Sequence, residues 1–371
     1  VKLVVFGLTL SSSWGNGHAT LWRGLCAALA RDGHRVLFFE RDAPYYAEHR
    51  DLIDPPGYEL RLYPSWETVA ARARREVADA DAAIVTSYCP DGVAATRLIT
   101  DACAGIRCFY DLDTPVTLAR LADGERVPYL GAGGLRAFDL VLSFTGGRAL
   151  TELQTRLGAR RVAPLYGHVD PEVHRPAARR DDLASDLSYL GTYAEDRQPQ
   201  LDALFLAPAR RLPSRSFLIG GAQYPPSFPW EPNVWFRRHV APGDHAAFYG
   251  SSRLTLNVTR ATMARMGHCP SGRLFEAAAC GAAILSDWFE GLDGFFTPGD
   301  QIRIARGTDD AIAAIEASDA ELAAMARRAR ERVLEEHTSA HRARELVSLL
   351  EGAGRGRPAE DPGAGERRAE L

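Results

Sequence analysis

Lysine is all but missing from this chain of 371 residues: Lys2 is the only one, and arginine carries the rest of the positive charge. Such a bias is what GC-rich bacterial coding imposes. With a formal net charge of −4 and no basic block interleaved with aromatics, no nucleic-acid partner is expected. Paired cysteine spacing is missing too. Cys26, Cys89, Cys103, Cys108, Cys269 and Cys280 show no zinc-type pattern, and several fall in apolar runs, which reads as reduced core thiols. No apolar run approaches the roughly 20 residues that span a bilayer. The chain opens on a strand-like stretch, Lys2 to Leu10, without a charged-then-apolar leader, so a cytoplasmic α/β protein is expected. The dinucleotide fingerprint is also absent. In Gly15-Asn16-Gly17-His18 the third glycine is replaced by Thr20, and Glu40 is the one acidic residue placed to close the next strand on a ribose.

What is present is alternation. Val4-Val5-Phe6 precedes a Gly/Ser loop, a helix over about 19–32 that Gly33 stops, and the strand Val36-Leu37-Phe38-Phe39. Ala82–Val85, Ile106–Tyr110 and Leu140–Leu142 continue the series, with helices between and after them. A Pro/Gly-rich stretch then breaks the rhythm, and a second series begins at Leu187–Leu190, Phe217–Gly220, Leu254–Asn257, Ala283–Leu285 and Ile302–Ile304. Repeated strand–helix units imply parallel sheets covered by helices. The expected division is an acceptor-binding domain over 1–165, a linker over 166–180, a nucleotide-binding domain over 181–350 and a disordered tail over 351–371. The fold class is α/β, with two Rossmann-like domains facing each other across a cleft.

Two constellations carry chemistry. The first is Ser11-Ser12-Ser13-Trp14-Gly15-Asn16-Gly17-His18, between the first strand and first helix, where glycines admit a ligand close to the backbone. The second is Gly267-His268-Cys269-Pro270-Ser271-Gly272-Arg273-Leu274-Phe275-Glu276, ending at Gly281. Small residues opening a helix offer free N–H groups and a positive helix end to a phosphate. Glu276, one turn further in, suits a ribose diol, although a carboxylate there also complements the helix dipole. Arg260, Arg265 and Arg273 cluster around this segment. An arginine between a small-residue loop and an apolar pair wants an anionic partner.

In combination these segments resemble the GT-B glycosyltransferases, and specifically the CgeB-like group with a C-terminal domain of the group 1 type. The resemblance spans about residues 1 to 350. Ser271 to Ala277 with Cys280-Gly281-Ala282 is similar to the donor signature, Gly191-Thr192 to Arg197 to the phosphate segment with Arg197 in the lysine's place, and Gly167-His168-Val169-Asp170-Pro171 to the interdomain linker. The resemblance implies a nucleotide-diphospho-sugar held by Gly17, Gly191, Thr192, Arg197, Gly220, Gly221, His239, Val240, Arg260, His268, Ser271, Gly272, Arg273, Leu274 and Glu276. It implies no metal and no other cofactor.

A small-molecule acceptor, a hydroxyl or amine of a natural product, would meet Trp14, Asn16, His18, Tyr88, Asp113 and His168. Trp22, Tyr45, Tyr46 and Trp66 add aromatic surface or core on the same half. His268 stands eight positions before Glu276, where retaining members carry a sugar-binding glutamate. Retention is expected from the Ser271–Gly281 match. Inversion would make His18 the general base, oriented by Asp111 or Asp113. The Asp111-x-Asp113 spacing also admits a Mg²⁺ site or a helix cap. A sugar-nucleotide 2-epimerase and a non-catalytic nucleotide-sugar binder are the alternatives outside transfer.

Overall fold

Short runs of Val, Ile, Leu and Phe, each followed by an amphipathic helix, bury both their faces only in a parallel sheet with helices on either side. The computed structural model, which describes residues 1–15 and 17–355, contains two such sheets. The first comprises β1 (Lys2–Gly7), β2 (Arg35–Arg41), β3 (Glu59–Tyr63), β4 (Ala82–Thr86), β5 (Ile106–Asp111), β6 (Leu140–Ser143) and β7 (Val162–Pro164). Its order is β3-β2-β1-β4-β5-β6-β7, with Val4 opposite Leu37 on one side and Ala83 on the other. The second comprises β8 (Ser185–Leu190), β9 (Phe217–Gly221), β10 (Val234–Arg238), β11 (Ser252–Asn257), β12 (Ile284–Ser286) and β13 (Arg303–Ile304), in the order β10-β9-β8-β11-β12-β13. Alternating side chains feed two apolar layers per sheet. Leu3 and Val5 enter one layer of the first sheet, and Val4 and Phe6 the other. In each sheet the strand order reverses, at β1/β4 and at β8/β11, which opens a ligand crevice at the carboxyl ends.

Three strands escape the sequence pattern. β7 has only three residues. β3 is an edge strand of half-buried, alternating charge. β10 is an edge strand whose side chains are mostly exposed, Trp235 at 67%, so no burial period marks it. The first strand stops at Gly7 rather than Leu10, because the next residues are drawn into a loop by Glu40.

The C-terminal region departs from the expected division. It forms helices Thr308–Ile315, Asp319–Glu336 and Ser339–Arg355, the second opened by a capping box of Ser318 and Glu321. Along the last helix Ala343, Leu346, Leu350 and Ala353 recur at helical spacing and pack with Leu25 and Leu29 into the core of the first domain. Residues 339–350 therefore complete the first domain instead of ending the second. Residues 351–355 continue that helix instead of starting a tail; the remainder of the expected tail, 356–371, lies outside the described residues. Each buried leucine there is worth about 1.5–3 kcal/mol of transfer free energy. The chain thus passes between the domains twice. At the crossing Val169 N donates to the His337 carbonyl at 3.0 Å, and Ser339 N donates to the Val169 carbonyl at 2.8 Å. Among the described residues no helix is long and apolar enough to cross a membrane.

Candidate active site

Strand ends from both sheets line one cleft of about 660 Å³. On the C-terminal side, β8 ends at Leu190 and Gly191 N donates to the Gly220 carbonyl at 2.8 Å. Gly221 has φ +151°, and a Cβ there would meet Gly191 O at 2.1 Å, so the two strand ends close up only because no side chain intervenes. Arg197 follows on a short turn, with Nη1 donating to the Thr192 carbonyl at 3.1 Å. Its Nε is buried with no hydrogen-bond partner. Burial lowers its proton affinity, and the nearby Arg273 and Arg260 lower it further.

Of the three guanidiniums, Arg260 is paired with Asp196 at 3.3 Å. Arg273 donates through Nε to the Leu190 carbonyl and through Nη1 to Asn257 Oδ1 at 2.8 Å, and lies 5.2 Å over the Tyr189 ring. Arg197 has no carboxylate ion pair among the described residues.

The helix Gly272–Ala279 presents another part of the C-terminal cleft wall. Ser271 caps it, its side chain accepting from Arg273 N. Leu274, Phe275, Ala277, Ala278 and Ala279 are buried, which leaves Gly272, Arg273 and Glu276 on the cleft face. Glu276 Oε2 lies 3.6 Å from His245 Nδ1, and Oε1 lies 4.0 Å from His174 Nε2. Burial pushes its pKa up, but His174, His245 and Arg273 outweigh burial and hold it at about 2. The carboxylate is therefore ionised at any working pH.

Across the cleft, Glu40 shapes the first loop. Its Oε1 accepts from Thr9 Oγ1 at 2.8 Å and Ser11 Oγ at 2.5 Å, and its Oε2 from the backbone N–H of Leu10 at 2.7 Å and Ser11 at 2.9 Å. It is a buried loop clamp, with both oxygens taken by its own chain, rather than a ribose ligand. Beyond the clamp, Gly17 and His18 open the helix Gly17–Arg31 on the cleft. His18 Nε2 lies 3.6 Å from Asp113 Oδ2, with the Tyr88 ring 5.7 Å from the imidazole. Asp111 points elsewhere. It is fully buried, its Oδ1 accepting from Asp113 N and Thr117 Oγ1, both at 3.1 Å, and burial pushes its pKa up to about 6. Of the two aspartates, the fold brings only Asp113 to His18.

Several expected site residues lie elsewhere. His268 does not line the cleft: its backbone is left-handed at φ +47°, which turns the ring between Gly147 and Gly291, 3.8 Å from Glu290. Leu274 is core, and Gly220 is covered by Phe248 and Val240. Trp22 and Trp66 pack against Phe38 and Phe6. His168 reaches the cleft but is bonded to Ser339 Oγ at 2.9 Å, and burial lowers its pKa to about 3. Trp14 stacks on His49 at 4.2 Å and meets His239 of the other domain at 4.6 Å. Asn16 lies outside the described residues. Tyr46 and Tyr88 line the cleft, as do Gly191, Thr192, Gly221, His239, Val240 and Arg260. His174 and His245 were not foreseen. Neither belongs to a local motif, and only the fold carries them to Glu276.

Residues 197–348 match the family described as glycosyl transferase-like, a span that begins at Arg197 and includes Glu276. No curated protein matches the sequence at a significant level. Among solved structures, a sucrose-phosphate synthase from Thermosynechococcus elongatus aligns with a TM-score of 0.69 at 14% identity, over 95% of this chain and 99% of that one. Anabaena HepE in complex with UDP and glucose aligns at 0.64 with 14% identity, over 94% and 99%. An alpha-glucosyltransferase in complex with UDP-glucose and DNA containing an abasic site aligns at 0.71 with 12% identity, over 94% and 99%. Residues 197–348 thus match a glycosyl transferase-like family, and the chain shares the two-sheet architecture of these glycosyltransferase structures.

Proposed function

We propose that this enzyme moves a sugar from a nucleotide-diphospho-sugar to a hydroxyl or amine of a small-molecule acceptor, without a metal ion and with retention of configuration. One observation carries the donor assignment: the half-buried Arg197, with a buried Nε lacking a partner and no carboxylate ion pair among the described residues, faces the same cleft as Arg273, the Ser271–Gly272 helix start and Glu276. A buried guanidinium lacking a protein anion is a site for a ligand anion. The diphosphate would lie between Arg197 and the helix start, and the ribose diol against the ionised Glu276. As the bond to the sugar breaks, negative charge grows on the departing diphosphate, where these fixed donors stabilise it. With retention, the departing phosphate takes the acceptor proton on the same face of the sugar. Tyr46 and Tyr88 give the acceptor side an aromatic wall, which suits an apolar natural product.

A second reading, inversion, is favoured by the 3.6 Å His18–Asp113 pair. There Asp113 orients the imidazole and His18 accepts the acceptor proton. The anomeric configuration of the first product, read by NMR, separates the two.

The test of the donor reading is a thermal-shift screen of UDP-, GDP- and dTDP-sugars. UDP-glucose comes first, because it or UDP occupies the HepE and alpha-glucosyltransferase structures. Stabilisation by a nucleotide sugar, lost in Arg197→Met, is expected. No stabilisation by any donor would refute the assignment, and donor consumption without an acceptor would point to epimerisation. Turnover undiminished by EDTA is expected for metal-free transfer.

A further inference from the structure

We infer that His174, His245 and Glu276 form a binding site for one divalent transition-metal ion of the zinc class, and that this ion and the nucleotide compete for the Glu276 carboxylate. The metal site stands on the three side chains alone; the competition rests on the ribose reading above.

The three residues come from the interdomain stretch, the helix Pro242–Ser251 and the helix Gly272–Ala279. His174 Nε2 lies 3.5 Å from His245 Nδ1 and 4.0 Å from Glu276 Oε1, and His245 Nδ1 lies 3.6 Å from Glu276 Oε2. Tetrahedral bonds of about 2.0–2.1 Å to nitrogen and oxygen place zinc ligands roughly 3.4 Å apart. The triangle is therefore already close to the required size. It is the one cluster of this kind among the described residues.

The donor set selects the ion. Two imidazoles and one carboxylate suit zinc, cobalt or nickel, whereas magnesium and calcium prefer oxygen throughout. His245 Nε2 donates to the Val240 carbonyl at 3.2 Å, which leaves Nδ1 on the side of the cluster. An outer N–H held by a backbone carbonyl is the usual support of a metal-bound histidine. His174 is 1% exposed, so its Nε2 has little besides His245 and Glu276 to meet. A bound ion would take one carboxylate oxygen and two imidazole nitrogens as its donors. Glu276 and His245 both line the cleft, so an ion enters from the nucleotide side.

The experiment uses the full chain, stripped with a chelator and dialysed, then titrated with Zn²⁺ by calorimetry and with Co²⁺ by visible absorbance. One ion per chain is expected, with the ligand-field bands of a low-coordinate Co²⁺ site. His174→Ala and His245→Gln, each checked for fold by circular dichroism, should weaken binding roughly 10- to 100-fold. UDP affinity is then measured with and without one equivalent of Zn²⁺. Wild type should lose affinity roughly tenfold, while His174→Ala should change less than about twofold. Chelation by the diphosphate is common to both proteins and cancels in that comparison. Zinc binding that is absent, or as tight in both variants as in wild type, overturns the site. Equal zinc effects on UDP in wild type and variant overturn the competition. If UDP binds neither protein, the competition falls with the ribose reading, and the metal titrations alone decide the site.

Discussion

Consider Arg197→Met, which keeps most of the side-chain volume and removes the charge. In the wild type Nε is buried without a partner, Nη1 donates to the Thr192 carbonyl at 3.1 Å, and Arg260 and Arg273 stand close enough to lower its proton affinity. Losing the Thr192 bond costs about 1 kcal/mol. Removing an unpaired buried charge returns a desolvation penalty of at least similar size. The variant should therefore be as stable as wild type, within about 1 kcal/mol, or more stable. Binding moves the other way. Charge-assisted hydrogen bonds to a diphosphate are worth about 1.5–3 kcal/mol, so UDP affinity should fall roughly 10- to 100-fold. Calorimetry with UDP, UMP and uridine should show the largest loss for UDP and almost none for uridine, beside urea unfolding of both proteins. A variant that binds UDP like wild type but is destabilised by 2 kcal/mol or more, on the scale of a lost core contact, would refute the reasoning.

Glu276→Gln should raise the UDP dissociation constant roughly tenfold through loss of a charged hydrogen-bond acceptor. Because the native pKa of about 2 lies below the ordinary 4.5, ionised Glu276 contributes stability that is complete above pH 4.5 and is lost as the pH falls toward 2. Acid unfolding of Glu276→Gln should lack that limb; identical acid profiles would contradict the assigned electrostatics. If transfer inverts, His18→Ala and Asp113→Asn should each lower kcat by roughly 10²-fold or more with UDP affinity intact, and substantial residual turnover would remove the base. Leu346→Ala should cost about 2–5 kcal/mol in urea unfolding. A loss below about 1 kcal/mol would show that the last helix contributes little to the first domain's core.

The cleft-facing segment from Ser271 to Glu276 was legible because its parts are nearly consecutive. Ser271, Gly272, Arg273 and Glu276 are placed by one loop and two turns of helix, so local spacing alone puts them on one face. The alternation of the strands likewise declared two parallel sheets. What local pattern cannot show is which distant groups share a pocket. His174 and His245 are 71 residues apart and meet only through the packing around Glu276. A spacing of two could not tell Asp113 from Asp111; the burial of Asp111 beneath the following helix decides it. His268 looked like a site residue by position, yet a left-handed backbone turns it away. The last helix showed its apolar stripe plainly, but a stripe does not say which core it fills.

The double crossing at Val169 and Thr338 has a mechanical consequence. A single tether would leave two lobes free to swing and twist in any direction. Two passages joined side by side by a parallel bridge should act instead like the knuckles of a door hinge and favour rotation about one axis. Rotation about that axis would change the width of the cleft that Arg197 and His18 both line. Cutting the chain before Ser339 would release that axis as well as uncover a core. Productive closure should then fail even where both lobes remain folded and still bind their separate ligands.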